Sequence, residues 1–491
     1  MSNREYKEFV SAGGYLKKEY WKFPFIKNGK RLGWDEAMRE LHDQTGLPGP
    51  RDWTSQEYPA GQENYPVTGV SWYEAAAYAA FRGKQLPTLY QWEKAARVGV
   101  PALFYGAMPW GLESEDTAER ANFNGKGTLP VDSFEFGVSP YGCYNMAGNV
   151  AQWCRNARGG DFFTAGGSWR GPPYLFGDYG SFPGFYSSNA LGFRCVLNSA
   201  RATGDQGATP FPAAEGAPAY PSTSEASFRG WASYYRYDQT PLEPKVEEVE
   251  ETSEWKREKI SYNGTSEQRT LAYLYLPKNF KPPYQVIQYV PGSSAFASAT
   301  VPELVNLFAR PQIQAGRAVF TVVLRGYVER KDPLYVREHD GTSVRYRQQL
   351  VYWATELRRG LDYLGTRPDM DSQRMAFWNV SISAFVVVPA IEPRYRAVIF
   401  ESDGMPKEWL GFLPEANGIF FASHIRQPKL VLNGRYDELW PLHSAIEPMY
   451  KALSEPKRLE LCDCGHIPPV EVAAPLINSW LDDTLGRVKH D

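Results

Sequence analysis

Three residues in the second half of the chain have the types that acyl transfer requires: Ser381, Asp437 and His466. A serine hydroxyl is a weak nucleophile and needs an adjacent base. Imidazole accepts that proton near neutral pH. A carboxylate fixes the imidazole tautomer and stabilises the imidazolium that forms. Charge also develops on a carbonyl oxygen, which needs fixed donors. The N–H of Ile382 is expected to be one donor. Ser293 or Ser294, in the loop Pro291-Gly292-Ser293-Ser294, is expected to be the other. Singly, each residue has an ordinary reading: Ser381 as a turn residue, Asp437 as a helix cap. His339, His424 and His443 read as surface or packing residues.

The conjunction gains weight from the elements that must carry it. Each of the three follows an apolar run: MAFW (375–378), KLVLN (429–433) and LELCD (459–463). Four more such runs, LAYLYL (271–276), VIQYV (286–290), AVFTVVL (318–324) and AVIF (397–400), read as strands. Between the third and fourth runs in chain order, Leu350, Trp353, Leu357, Leu361 and Leu364 recur at helical spacing. Strands alternating with helices imply a doubly wound, mostly parallel sheet, with functional residues just beyond the carboxyl ends of its strands. A nucleophile on a strand-to-helix turn normally reads G-x-S-x-G. Here it reads Asn379-Val380-Ser381-Ile382-Ser383. Ser383 is small enough for the close approach that glycine usually permits; Asn379 is expected to bond locally or to narrow the pocket. Trp409, Phe412 and Phe420 are pocket candidates, with core packing an equal reading.

The first 200 residues differ in character. They are rich in Gly, Trp and Tyr, and only short helices are legible. Ser71 with Glu74, and Thr88 with Gln91, form capping boxes. The first of these helices is expected to stop at Gly83. Residues 201–227, dominated by small residues and proline, read as a linker or surface strap. The acidic run 247–251 reads as a solvated face. The expected division is therefore 1–200, 201–227 and 228–491.

Bulk properties exclude several classes. A chain of 491 residues with 43% apolar and 22% charged residues has a globular balance. A net charge of −3 gives no electrostatic case for nucleic acid. No apolar run is long enough to span a membrane. The polar start MSNREYKEFV does not read as a signal peptide, so a cytoplasmic, reducing compartment is expected. The five cysteines are too few for a disulfide scaffold, and the C-x-C of Cys462 and Cys464 is poorly spaced for zinc.

With VPGSS, the serine turn, NGRYDE and GHIPP in place, residues 228–487 resemble α/β-hydrolases of the dienelactone-hydrolase, prolyl-oligopeptidase and acetyl-esterase type. The resemblance implies Ser381 as nucleophile, Asp437 as acid and His466 as base. The first half carries YPVTGVSWYEAAAYAAF (65–81), LPTLYQWEKAAR (86–97), PVDSF (130–134), NMAGNVAQWC (145–154), GGSW (166–169) and LGFRC (191–195). It resembles the formylglycine-generating-enzyme (sulfatase-modifying factor) family, which implies a loop-rich, C-type-lectin-like α+β fold. Active members oxidise a peptidyl cysteine with a cysteine pair after GGS. Gly171 and Phe176 stand about there, so no oxidase activity is expected. Ala151-Gln152-Trp153 replaces the usual W-E-W and loses a carboxylate. Calcium is retained as an expectation at Asn122, Phe123 and Asn149. The resemblance at the start of the chain further implies a longer parent protein with an upstream kinase domain.

The function these readings imply is a serine carboxylic-ester hydrolase that requires no cofactor and acts on a small or polymeric ester. The first domain is expected to be a non-catalytic accessory or substrate-gating module. A peptidase or amidase of the same fold, and a non-enzymatic binding module with a pseudo-hydrolase domain, are the alternatives.

Overall fold

Capping chemistry starts the helices of the N-terminal unit. In Trp72–Phe81, Ser71 Oγ accepts the Glu74 N–H at 3.2 Å and Glu74 Oε2 accepts the Ser71 N–H at 2.7 Å. The helix stops at Gly83, whose φ is +64°, a value glycine adopts without a Cβ penalty. Thr88 and Gln91 cap Leu89–Ala96 in the same way. These elements come from a computed structural model, which describes all residues except 98–107, 112–116, 178, 199–218, 266–268, 293–294, 296–299, 333, 336–340 and 489–491. The chain forms two units, Met1–Ala214 and Glu215–Asp491.

The N-terminal unit is loop-rich α+β. Its strands are β1 (Ile26–Lys27), β2 (Lys30–Arg31), β3 (Ala151–Arg158), β4 (Asp161–Ala165), β5 (Gly180–Pro183) and β6 (Leu191–Phe193). β1 and β2 form a hairpin, and the other four make a sheet in the order β5-β4-β3-β6. Aromatic packing holds the loops: Trp72 stacks on Phe162 at 3.6 Å between ring centroids, and Tyr6 stacks on Tyr78 at 5.3 Å. Buried rings of this size supply apolar area that short strands cannot.

The C-terminal unit is an α/β-hydrolase fold. Nine strands run in chain order: β7 (Lys245–Glu251), β8 (Trp255–Asn263), β9 (Arg269–Pro277), β10 (Tyr284–Val290), β11 (Ala318–Val323), β12 (Met370–Val380), β13 (Tyr395–Glu401), β14 (Lys429–Gly434) and β15 (Lys457–Cys462). Their order in the sheet is β15-β14-β13-β12-β10-β11-β9-β8-β7. All neighbours from β11 to β15 are parallel; β9 is antiparallel to β11 and β8. Every residue of β11 and β14 is buried, as expected for parallel strands covered on both faces. The helix Val344–Gly365 presents Leu350, Trp353, Leu357, Leu361 and Leu364 to the core, all buried.

Two expectations gain detail. The acidic run is solvated, as all seven residues of β7 are exposed, but it is also an edge strand paired with β8. It lacks an alternating apolar face, so only the partner strand reveals it. Of the expected linker, 201–218 lie outside the described residues, whereas 219–227 are tied down. Tyr220 donates its hydroxyl to the Met405 carbonyl, and Ser224 caps the helix Glu225–Ala232, whose Phe228 stacks on His424 at 4.0 Å.

Candidate active site

β12 ends at Val380, in register with Glu401 of β13, and the chain then turns sharply into a 3₁₀ segment, Ser383–Val386, and the helix Val387–Ile391. Ser381 sits at the turn with φ +55°. A non-glycine residue held there costs on the order of 1–3 kcal/mol and persists only where its surroundings fix it. The Ser381 N–H donates to the Glu401 carbonyl at 2.8 Å. Gly292 lies against this turn: a Cβ there would fall 2.5 Å from the Val380 oxygen and 3.5 Å from Ser381 Cβ. The Ile382 N–H has no hydrogen-bond acceptor among the described residues. Ser293 and Ser294, the other expected donors, lie outside the described residues.

His466 and Asp437 arrive from the ends of β15 and β14. Ser381 Oγ is 2.7 Å from His466 Nε2, and His466 Nδ1 is 2.9 Å from Asp437 Oδ2. Asp437 Oδ1 accepts the backbone N–H groups of Leu439 and Trp440, each at 2.9 Å. The Asp437 side chain is fully buried and that of His466 is 7% exposed, so His466 is reachable while Asp437 is not. The Arg435 N–H donates to the Cys462 carbonyl at 2.8 Å and the Tyr436 N–H to the Cys464 carbonyl at 3.1 Å. A Cβ on Gly434 would fall 1.8 Å from the Gly465 oxygen, so glycine is what lets the two loops meet. Cys462 and Cys464 form a disulfide two residues before His466. The sequence reading gave this C-x-C no pairing.

Beneath Ser381 lies a group of polar residues, of which sequence reasoning missed Asp403 and Glu401. Asp403 Oδ2 accepts from Asn379 Nδ2 at 2.7 Å, and Asp403 Oδ1 accepts from Ser383 Oγ at 2.9 Å. Ser383 Oγ in turn accepts the Gly404 N–H at 2.9 Å, and Asn379 Nδ2 also donates to the Ile382 carbonyl at 3.0 Å. Trp378 Nε1 donates to Glu401 Oε2 at 2.9 Å. Burial raises the Asp403 carboxyl to about 8, against hydrogen bonds from Ser383 and Asn379 and the nearby His466. Burial likewise raises Glu401 to about 7, opposed by the Trp378 indole and His466. Asn379 is fully buried in this group rather than lining a pocket. The stretch Glu401-Ser402-Asp403-Gly404 gave no sign that Asp403 would fold under the turn.

The aromatic candidates separate. Trp409 stacks on Phe412 at 5.5 Å and meets Trp440 edge-on at 5.6 Å, beside the Asp437 loop. Phe420 instead packs against Trp231 at 5.4 Å. An open cleft of about 1060 Å³ is lined by Arg236, Arg358, Arg394 and Arg426 among others, and contains none of Ser381, Asp437 and His466.

In the N-terminal unit, Phe176 is buried against Trp92, with the Arg97 guanidinium 4.9 Å from its ring centroid. Gly171 accepts the Asn124 N–H. Burial pushes the Cys154 thiol well up, and the Cys195 thiol to about 11, which disfavours thiolate. Two of the three residues expected for calcium, Asn122 and Asn149, bond to each other and to the neighbouring backbone. Asn149 Oδ1 accepts from Asn122 Nδ2 at 3.2 Å and the Leu129 N–H at 2.9 Å, and the Asn122 carbonyl accepts the Asn149 N–H. Gln152 Oε1 accepts from Trp92 and from the Arg194 guanidinium. No group of three or more His, Cys, Asp or Glu that could hold a metal occurs among the described residues.

Comparison with known proteins divides along the same two units. The chain is 48% identical over 103 residues to a serine/threonine-protein kinase, pkn1 of Chlamydia pneumoniae, covering 21% of this chain and 16% of that one. It thus spans only about a sixth of that relative's length. To the inactive C-alpha-formylglycine-generating enzyme 2 of Bos taurus it is 32% identical over 243 residues, 42% of this chain and 77% of that one. Among solved structures, the acetyl xylan esterase from Paenibacillus sp. R4 aligns with 55% of this chain and 97% of its own, at 15% identity and a TM-score of 0.43. No described helix is long and apolar enough to cross a membrane. Residues 1–199 match the sulfatase-modifying factor enzyme 1-like domain, and with that match the chain belongs, through its N-terminal unit, to the sulfatase-modifying factor family.

Proposed function

We propose that the C-terminal unit is a serine carboxylic-ester hydrolase. The observation that carries the reading is the unbroken hydrogen-bonded line from Ser381 Oγ through His466 to the buried Asp437. His466 Nε2 takes the Ser381 proton as Oγ attacks the ester carbonyl. The Ile382 N–H, with a donor from the loop after Gly292, stabilises the oxyanion. His466 then protonates the leaving alcohol, and a water it activates releases the acid from the acyl-enzyme. Asp437, held by two backbone N–H groups, keeps Nδ1 protonated throughout. No metal or organic cofactor enters these steps.

We further infer that the N-terminal unit is a non-catalytic accessory, since no sulfur stands at Gly171 or Phe176. A kinase domain upstream in a longer parent chain fits the similarity to pkn1, which covers only a short part of that kinase.

The test is hydrolysis of short-chain p-nitrophenyl esters by the full chain, beside Ser381→Ala and His466→Ala. Each variant is expected to lose on the order of 10,000-fold or more in kcat. A wild type no faster than either variant would sink the hydrolase reading.

A further inference from the structure

The turn that carries Ser381 lacks both glycines, and one carboxyl group touches both replacements. Asn379 stands two residues before Ser381 and Ser383 two residues after. Their side chains converge on the two oxygens of Asp403, at 2.7 and 2.9 Å. All three are buried, with at most 1% exposure. Asp403 is itself anchored: Asn433 Nδ2 of β14 donates to its carbonyl at 3.0 Å, and the Gly404 N–H returns to Ser383 Oγ. The left-handed Ser381 is thus bracketed by two side-chain bonds to a single point on the neighbouring strand end. Glycine turns tolerate the strained backbone because nothing clashes; this one is held there by attachment.

We propose that Asp403 is a positioning residue for the nucleophile, clamping Asn379 and Ser383 so that Ser381 Oγ stays aimed at His466. The proposal rests on the reading of Ser381 as nucleophile. Asp403 does not reach the substrate or Ser381 Oγ; it acts through the two residues flanking the turn. A buried polar group costs stability unless it is hydrogen-bonded, and here each carboxyl oxygen has a partner. Glu401 and His466 are the titratable groups that face it. A loosened turn would misplace Oγ without altering substrate contacts, so the loss should fall on kcat and not on KM.

The experiment uses the full chain and ester turnover, with Ser381→Ala as reference. Asp403→Ala is expected to lower kcat about 100-fold with KM within about threefold. Asp403→Asn keeps an acceptor for Asn379 and a contact to Ser383, and should recover kcat to within about tenfold of wild type. In the background Asn379→Gly/Ser383→Gly, where nothing remains to clamp, the further change Asp403→Ala should cost less than about threefold. An equal cost in both backgrounds overturns the clamp, as does an unchanged kcat in Asp403→Ala while Ser381→Ala is dead. If Asp403→Ala does not fold, Asn379→Ala and Ser383→Ala carry the test. Each should lower kcat about tenfold at constant KM, and full kcat in both rejects the idea. A wild type indistinguishable from Ser381→Ala overturns the hydrolase reading and the clamp together, an outcome distinct from all the others.

Discussion

Residues 171 and 176 of the N-terminal unit and residues 379 and 383 of the C-terminal unit all depart from the patterns their units resemble, but they differ in kind. At 171 and 176 the side chains that would do chemistry are replaced, and the framework closes over the change: Phe176 fills its place against Trp92. At 379 and 383 it is the framework that is replaced, while Ser381, Asp437 and His466 keep their types and their geometry. A fold absorbs a lost glycine when a neighbouring group takes over the restraint. It cannot replace a lost nucleophile from its surroundings. Intact chemistry on altered support is therefore stronger ground for an activity than intact support without chemistry.

The comparison breaks most sharply at the acid. Asp437→Asn leaves the packing near Gly434 in place but presents the wrong hydrogen-bond character to His466 Nδ1. A fall in ester kcat on the order of 10,000-fold is expected, and a variant within tenfold of wild type would mean that Asp437 only caps its loop. In the N-terminal unit the corresponding change is one of stability. Phe176→Ala should destabilise that unit by about 3–5 kcal/mol, the usual cost of emptying a buried aromatic site, and calorimetry of the full chain would show it as a lowered transition. An unmoved transition would contradict the packing role given to Phe176.

A smaller effect separates the units by pH. Glu74 in the N-terminal unit is raised to about 7 by burial, and Asp403 in the C-terminal unit to about 8. Both carboxyls bind a proton more tightly folded than unfolded. Their stabilising contribution is therefore full below the unfolded carboxylate range and declines as pH rises through the folded value. The N-terminal transition should stop falling near pH 7 and the C-terminal one near pH 8, with Glu401 contributing up to about 7. In Asp403→Asn the decline between pH 7 and 8 should disappear from the C-terminal transition alone. Its persistence there would place the titration on another group.

Much of the C-terminal fold is legible in the sequence because its central strands carry short apolar runs: seven runs read as strands correspond to β9 through β15. β7 escapes because KVEEVEE has no buried face, and β8 because its polar and apolar residues mix. At the site, Ser381, Asp437 and His466 announce themselves by type and by following strands. Asp403 does not, because its partners lie 24 and 20 residues away in sequence and meet only when β12 and β13 pair. The docking of the His466 loop on the Asp437 loop is half legible, in Gly434 and Gly465. The aromatic residues are the least legible: Trp409 and Phe420 have similar surroundings in sequence, yet one lies beside the acid loop and the other under the helix Glu225–Ala232.

The exposed edge strand β7 has a consequence for how this protein meets copies of itself. Its outer row of N–H and C=O groups borders no further strand among the described residues, and such a row is a template for another chain. Four glutamates stand along its seven residues, with Val246 and Val249 half-exposed between them. A second copy adding its own β7 in either direction would bring acidic strands face to face, with Arg257 already engaged by Glu248 and Glu250. Each glutamate already meets a cation, Lys245, Arg257 or Lys278, so the edge carries a small net negative charge that disfavours a second acidic strand and that salt would screen.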